Sequence, residues 1–170
     1  MAEVGILHPG ERVELIHGEI IHMSPIGIPH AGILMQLIAY FSRLGVDKVA
    51  LSSQSPLRIG MHSEPEPDLT VLRGPAKQYL SRRAVSADAY VVIEIADTSW
   101  DYDWNVKRPL YAESGVAELW VIDAIGRAIH LCRKPSDRRY VDETILRGND
   151  RIAAQAFADH VTTVRDLLEA

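Results

Sequence analysis

The chain has 170 residues, 47% of them hydrophobic, which is enough to bury one core and gives no sign of a second. Its formal net charge of −5 excludes a broad basic surface as the main means of binding phosphate backbones, although local phosphate contacts stay open. The lone cysteine, Cys132, excludes an internal disulfide and a cysteine-based metal cluster. We therefore predict one domain over residues 1–170.

The amino-terminal residues contain neither a positively charged leader nor an apolar core of signal-peptide length; they read MAEVGILHPGERVEL. No stretch of the chain approaches the roughly 18 consecutive apolar residues of a membrane-spanning helix. We expect a cytoplasmic protein without membrane contact, in which Cys132 is a buried free thiol.

The first part of the chain predicts a hairpin and a core helix. The segment RVELIHGEIIHMS reads as two short strands joined at His17 and Gly18, with Glu19 at the start of the second strand. Residues 31–44 carry apolar side chains at helical spacing, and Gly45 is placed to end that helix.

The middle of the chain is dominated by strand patterns. The segments KVALSSQ and PLRIGM predict a strand pair, and the stretch PEPDLTVLRG starts another strand directly after Asp68. Residues 76–84 predict a short exposed helix. Residues 89–96 are apolar except for Glu94, which is typical of a strand covered on both faces.

The next segment, DTSWDYDWNVKRPLYAESGV, has helical spacing, capping residues at its start and Gly115 at its end. Pro109 requires that this helix either start late or bend, and Lys107 lies near its amino-terminal end in both cases. Beyond it, ELWVIDAIGRAIHLCRK predicts a hairpin that turns at Gly126, RRYVDETIL a third strand and VRDLLEA a closing helix. The predicted class is a mixed α/β fold.

Three charged residues occupy positions where an unpaired charge is costly. Asp68 opens an apolar strand, Glu94 interrupts an interior strand, and Lys107 follows on the next helix. Two carboxylates that meet repel each other unless a proton or a cation joins them. Mg²⁺ suits such a pair because it prefers oxygen ligands, and a lysine beside it can orient or deprotonate a water. The set indicates metal-assisted phosphodiester hydrolysis, against the plainer alternatives of a turn at Asp68 and a buried ion pair between Glu94 and Lys107.

A longer string of residues resembles a known family. The stretches EPEPDLTVL and YVVIEIADTSWDYDWNVKRPLYAESGVAELWVID, with ELIHGEIIHMSPIGIPHAGILMQL upstream, resemble the Uma-two family of restriction-endonuclease-like proteins in the PD-(D/E)XK nuclease superfamily. The resemblance covers most of the chain. It implies a restriction-endonuclease-like core, in which helices pack on a central mixed β-sheet beside an N-terminal β-hairpin.

The resemblance also assigns the site residues. It makes Asp68 and Glu94 the metal-binding acids, the main-chain carbonyl of Ile95 a further ligand, and Glu19 of the hairpin an outer one. Lys107 matches a catalytic lysine that has moved to the following helix. The chain departs from the superfamily motif at Ala96, which stands where that motif has lysine. Asp103 would share the helix face of Lys107 if the helix extends that far back. His30 matches a histidine of the family pattern, but a cap or loop hydrogen bond explains it at least as well.

The function that the resemblance implies is a Mg²⁺- or Mn²⁺-dependent endonuclease that acts on nucleic acid, with DNA the expected type. It also implies a homodimer, because cutting two strands takes two sites. Two alternatives remain open. A catalytically inactive binding or assembly module is favoured by the acidic composition and by Ala96, and a metallohydrolase of small phosphate esters would use the same acids.

Overall fold

The structure is a computed structural model that describes residues 11–23 and 27–169; the remaining residues, which include most of the segment considered above for a leader, lie outside it. Its strands are β1 (Val13–Ile16), β2 (Glu19–His22), β3 (Val49–Ser53), β4 (Leu69–Arg73), β5 (Ala89–Ala96), β6 (Glu118–Asp123), β7 (Ala128–Ser136), β8 (Arg139–Arg147), β9 (Arg151–Ile152) and β10 (Thr162–Thr163). Its helices are α1 (Ile28–Ser42), α2 (Trp100–Tyr102), α3 (Arg108–Glu113) and α4 (Val164–Leu168), with a π-helical turn over Asp103–Lys107.

A six-stranded sheet forms the centre of the molecule, in the spatial order β3-β4-β5-β6-β7-β8. Only β5 and β6 run parallel to each other, and every other neighbouring pair is antiparallel. A parallel pair needs a crossover connection, which α2, the π-helical turn and α3 supply. The predicted mixed α/β fold, with an amino-terminal hairpin of β1 and β2, is confirmed.

The two faces of the sheet are covered by different helices, because strand side chains alternate between faces. On one face, Ile93 and Ile95 of β5 share a buried cluster with Leu37 and Phe41 of α1. On the other face, Val92 packs in a second cluster that contains α3 residues. β5 is therefore buried on both sides, as its near-continuous apolar sequence predicts.

Several local predictions are confirmed. The hairpin turns at His17 and Gly18, both at positive φ, and Gly45 follows α1 at φ 94°. Cys132 is a buried free thiol. None of the helices in the described ranges is long and apolar enough to cross a membrane.

Other boundaries differ from the sequence prediction. α1 starts at Ile28 rather than at residue 31, because Pro29 suits a first helical turn. The segment PLRIGM forms isolated bridges instead of a strand, since β3 pairs with β4 rather than with its immediate successor. The helix predicted over residues 76–84 is reduced to a 3₁₀ turn at Ala76–Tyr79.

Candidate active site

The register of the central sheet brings two distant carboxyl groups together. Leu69 of β4 lies opposite Ile93 of β5, so one further step along this antiparallel pair sets Asp68 opposite Glu94 on the same face. Asp68 is 7% exposed and Glu94 is 2% exposed. Strand pairing alone therefore explains why these two acids, 26 residues apart in the chain (94 − 68 = 26), meet in the interior.

Asp68 is fixed by contacts from two directions. Its Oδ2 accepts a hydrogen bond of 2.8 Å from the main-chain N–H of Ile95, and its Oδ1 lies 2.8 Å from Nε2 of His30 on α1. Burial raises the pKa of the Asp68 carboxyl, and the Ile95 hydrogen bond and His30 offset part of that rise. The Asp68 carboxylate is thus fixed at the start of β4 by contacts with β5 and with α1, which a residue that only forms a turn does not need.

Glu94 is held by two donors that reach the same oxygen. Lys107 Nζ lies 3.1 Å from Glu94 Oε1, and the hydroxyl of Tyr111 donates to that oxygen at 2.5 Å. Burial raises the pKa of Glu94 well above its ordinary value, and only partial relief comes from Lys107. The buried ion pair that was the plainer alternative for Glu94 is present, and the role of Glu94 as a metal ligand stays a prediction.

Lys107 contacts two more carboxyl groups. Its Nζ lies 3.1 Å from Glu14 Oε2 on β1 and 3.9 Å from Asp103 Oδ1 one turn earlier on its own helix. Burial disfavours the charged ammonium, but the surrounding carboxylates, Glu94 foremost, raise the pKa of Lys107 above its ordinary value. Lys107 is therefore a firmly protonated cation in this arrangement.

The π-helical turn explains how Lys107 reaches the sheet. The N–H of Arg108 donates to the carbonyl of Asp103, five residues back, which widens the helix by one residue. Pro109 then falls in the first turn of α3, directly after the π-helical turn, and this is the part of an α-helix that tolerates proline best. The helix extends back to Trp100, and so the expectation that Asp103 shares a face with Lys107 is met.

The buried charges in this part of the protein do not balance. Four buried carboxyl groups, of Glu14, Asp68, Glu94 and Asp103, surround Lys107, the one lysine among the buried charged groups of the described residues. These side chains line a cavity of about 300 Å³ that His30 and Ile95 also border. Such an excess of acid must be met by protons or by a cation.

The Asp103 carboxyl gives the site a pH dependence. Burial raises its pKa from the ordinary 3.8 to about 6, against the opposing effects of Lys107 and Ser99. The folded protein holds this proton more tightly than the unfolded chain does, so its stabilisation is present below 3.8 and is lost as the pH rises through about 6. We expect the free energy of unfolding of the metal-free protein to fall over this interval.

Urea unfolding in the presence of a chelator checks this expectation. The free energy of unfolding of the wild type should change between acid and neutral pH by up to about 3 kcal/mol more than that of Asp103→Asn. The shift of the Asp103 pKa sets this upper bound. Equal pH slopes in the wild type and in Asp103→Asn would contradict the assignment of the proton to this residue.

The sequence of the chain matches a known family. Residues 2–165 match the family Uma2, described as "Putative restriction endonuclease". The chain belongs to the Uma2 family. It is also similar to a crystal structure from Anabaena variabilis ATCC 29413 described as "a putative nuclease belonging to DUF820", with a TM-score of 0.77, 14% identity, and coverage of 98% of this chain and 94% of that chain. At this identity the likeness shows the fold. No curated protein matched.

Restriction-endonuclease-like families such as Uma2 generally use divalent metal ions. Among the described residues, no three His, Cys, Asp or Glu side chains meet the geometry of a metal cluster. The donor set nevertheless fits an ion held by few protein ligands and several waters, since residues with carboxyl groups border the cavity together with Ile95. In addition, Nε2 of His30 is buried and has no hydrogen bond of acceptable geometry. The residues present therefore fit a divalent cation.

Glu19, expected as an outer ligand of the Uma2 site, is not among the residues that line the cavity. It is exposed at the turn end of the hairpin, whereas Glu14, on the same face of the hairpin, is 3% exposed and contacts Lys107. The hairpin thus supplies a carboxylate, but a different one. Glu14 also accepts a hydrogen bond of 3.0 Å from the N–H of Glu66, which ties the hairpin to the loop before β4.

Proposed function

We propose that this Uma2 protein is a metal-dependent endonuclease that hydrolyses phosphodiester bonds, with DNA as its substrate and residues 1–170 as one working domain. One observation carries the proposal: Asp68 and Glu94 are buried opposite each other beside Lys107, in a cavity with more acid than the described cations balance. A divalent cation is the partner that such paired carboxylates favour when the substrate is a phosphate ester.

The ion would be held by Asp68, Glu94 and the main-chain carbonyl of Ile95, with Mg²⁺ or Mn²⁺ as the candidates. When bound, it supplies Lewis acidity toward a phosphate oxygen and lowers the pKa of a bound water. Glu94 has room for this role, because the hydrogen bonds from Lys107 and Tyr111 both end on Oε1 rather than on Oε2.

Lys107 acts as an ammonium group rather than as a base. Since its carboxylate neighbours raise its pKa, it keeps its proton at neutral pH, in contrast to the deprotonating role that a lysine can take. In the proposed mechanism it positions the attacking water by hydrogen bonding and offsets negative charge that develops on phosphorus. Asp103 and Glu14 hold the ammonium in place.

The cavity offers local phosphate contacts of the kind that the net charge of −5 leaves open. Arg12 and His22, both on the hairpin segment, border the same cavity as the acids. A backbone phosphate beside the one that reacts is a suitable partner for the Arg12 guanidinium, which pairs well with phosphate oxygens. The hairpin would thus contribute to substrate binding, while β4 and β5 supply the reacting centre.

A cleavage assay tests this function. Single-stranded, double-stranded and branched DNA are incubated with the protein and Mg²⁺ or Mn²⁺, with a chelator as the blank. We expect cleavage that the chelator abolishes and that Asp68→Asn lowers by at least about 100-fold, because a metal site contributes several kcal/mol to such reactions. The control is Glu113→Gln, an exposed acid on α3 that pairs with Arg138 and should leave cleavage unchanged.

The other outcomes of the assay favour the other two functions. The absence of cleavage on every DNA would overturn the proposal and favour an inactive binding module, to which the ion pairs of Lys107 and the alanine at position 96 already lend weight. Metal-dependent hydrolysis of small phosphate diesters alone would favour a small-ester hydrolase, for which a cavity of about 300 Å³ is large enough.

We also propose a homodimer that pairs through β8, the end strand of the central sheet. Val141 and Ile145 on this strand are 68% and 54% exposed. Antiparallel pairing of two copies centred on Ile145 sets Glu143 opposite Arg147, so that opposite charges meet. Light scattering should give about twice the mass of the 18.9 kDa chain, and the mass should halve in Ile145→Lys. A monomeric wild type would contradict this assembly.

A further inference from the structure

His30 is a buried side chain for which the proposed mechanism has no use. It is the third residue of α1 and is 7% exposed, yet it borders the cavity that Asp68 and Glu94 line. Its Nε2 lies 2.8 Å from Asp68 Oδ1, but that nitrogen makes no hydrogen bond of acceptable geometry. A buried nitrogen that lies beside a carboxylate oxygen without a well-aligned hydrogen bond uses its bonding capacity incompletely, and this needs an explanation.

The packing around α1 holds this nitrogen in place. Gly27, which precedes α1, lies close to the residue that follows β5. A Cβ on Gly27 would be only 2.5 Å from Asp97 Oδ2. α1 also packs through Leu37 and Phe41 into the core beneath the sheet. The imidazole is therefore presented to the cavity by a helix that is fixed at both its start and its middle.

His30 Nε2 and Asp68 Oδ1 lie close together without a well-aligned hydrogen bond between them. Two such atoms are suitably placed to bind one ion. Neutral imidazole binds Mn²⁺, Fe²⁺, Co²⁺ and Zn²⁺ readily, whereas Mg²⁺ prefers oxygen ligands throughout. Together, Asp68 and His30 provide one ligand of each type.

We propose that His30 is a ligand of the metal ion through Nε2 and makes the site select a cation that accepts imidazole, Mn²⁺ over Mg²⁺. The inference deepens the proposed function, on whose metal site it rests, but it concerns binding and not cleavage. It changes the expected role of His30 from a cap or loop hydrogen bond to direct coordination, and it explains why the nitrogen lies beside Asp68 Oδ1 without a well-aligned hydrogen bond.

Pulsed electron paramagnetic resonance on the Mn²⁺-loaded full chain tests the contact directly. A coordinated imidazole gives a ¹⁴N coupling to Mn²⁺, which we expect in the wild type and in His22→Gln and not in His30→Gln. His22 is the matched control because it borders the same cavity but is exposed. Wild-type protein grown with ¹⁵N-histidine should show the coupling of ¹⁵N instead, which keeps the test valid if His30→Gln fails to fold.

Calorimetric titration measures the selectivity. His30→Gln should lose at least about 10-fold in Mn²⁺ affinity and less than about 3-fold in Mg²⁺ affinity, because only the softer ion gains from the nitrogen. The absence of nitrogen coupling in the wild type, its persistence in His30→Gln, or an equal loss for both ions would overturn the inference. Nitrogen-coupled Mn²⁺ without DNA cleavage would instead leave it standing while the proposed function fails.

Discussion

Glu94→Gln should abolish metal-dependent cleavage and leave the protein folded and at least as stable as the wild type. Glutamine keeps an oxygen to accept the hydrogen bonds from Lys107 and Tyr111, but it removes the negative charge that the metal needs. The loss of a ligand worth several kcal/mol in the transition state corresponds to a rate decrease of about 10³-fold or more.

Glu94→Gln should lower the cleavage rate but not the stability, because the Glu94 charge is buried among other acids. Burial raises the pKa of Glu94 well above its ordinary value, which means that its charge opposes folding at neutral pH. Removing that charge leaves three acids around Lys107 instead of four. We expect the free energy of unfolding to stay the same or to rise by up to about 2 kcal/mol, because functional sites often contain buried charges that lower stability.

Urea unfolding and the DNA cleavage assay, run on the same preparations, check both halves of this prediction. The matched control is Glu113→Gln, an exposed glutamate on α3 that pairs with Arg138 and should alter neither quantity. Cleavage by Glu94→Gln at the wild-type rate would remove Glu94 from the metal site. Unfolding of this variant at neutral pH would show that the residue has a structural role alone.

Lys107→Met should lower the free energy of unfolding by about 3–5 kcal/mol, because it leaves Glu14, Glu94 and Asp103 buried without their cation. Methionine fills a similar volume, so that little of the loss comes from a cavity. Stability should recover in part as the pH falls, since the unpaired acids then bind protons more tightly in the folded state than in the unfolded chain.

Lys134→Met is the control for Lys107→Met. Lys134 pairs with Asp142 at the surface with its side chain 72% exposed, and its replacement should change the free energy of unfolding by less than about 0.5 kcal/mol. A second check is the double variant Lys107→Met with Glu94→Gln, which should be more stable than Lys107→Met alone because one buried charge is gone. A loss below about 1 kcal/mol in Lys107→Met would contradict the tight pairing described for its ammonium.

The meeting of Asp68 and Glu94 was open to prediction from sequence because both follow from strand patterns. The apolar run after Asp68 and the run around Glu94 each have the length and composition of an interior strand. The resemblance to the Uma-two family implied that the two acids meet, and the observed antiparallel register sets them opposite each other. Lys107 was within reach of the same reasoning, since it lies on the helix that must cross back to the parallel neighbour of β5.

The contributions of Glu14 and His30 could not be predicted in this way. Glu14 and Glu19 lie on the same face of the hairpin, and only the docking of that hairpin against the loop before β4 selects Glu14. His30 reaches Asp68 from a helix on another part of the chain. Local periodicity carries no information about such tertiary placement. The π-helical turn before Pro109 was likewise one of two possibilities that only packing decides.

The central claim is that Asp68 and Glu94 converge on one divalent ion, and a crystal soaked in Mn²⁺ tests it most directly. Anomalous scattering should give a peak within about 2.5 Å of a carboxylate oxygen of Asp68, with Glu94 and the carbonyl of Ile95 at similar distances. A peak elsewhere in the protein, or its absence at these residues while the Lys107 ammonium remains on Glu94, would contradict the claim.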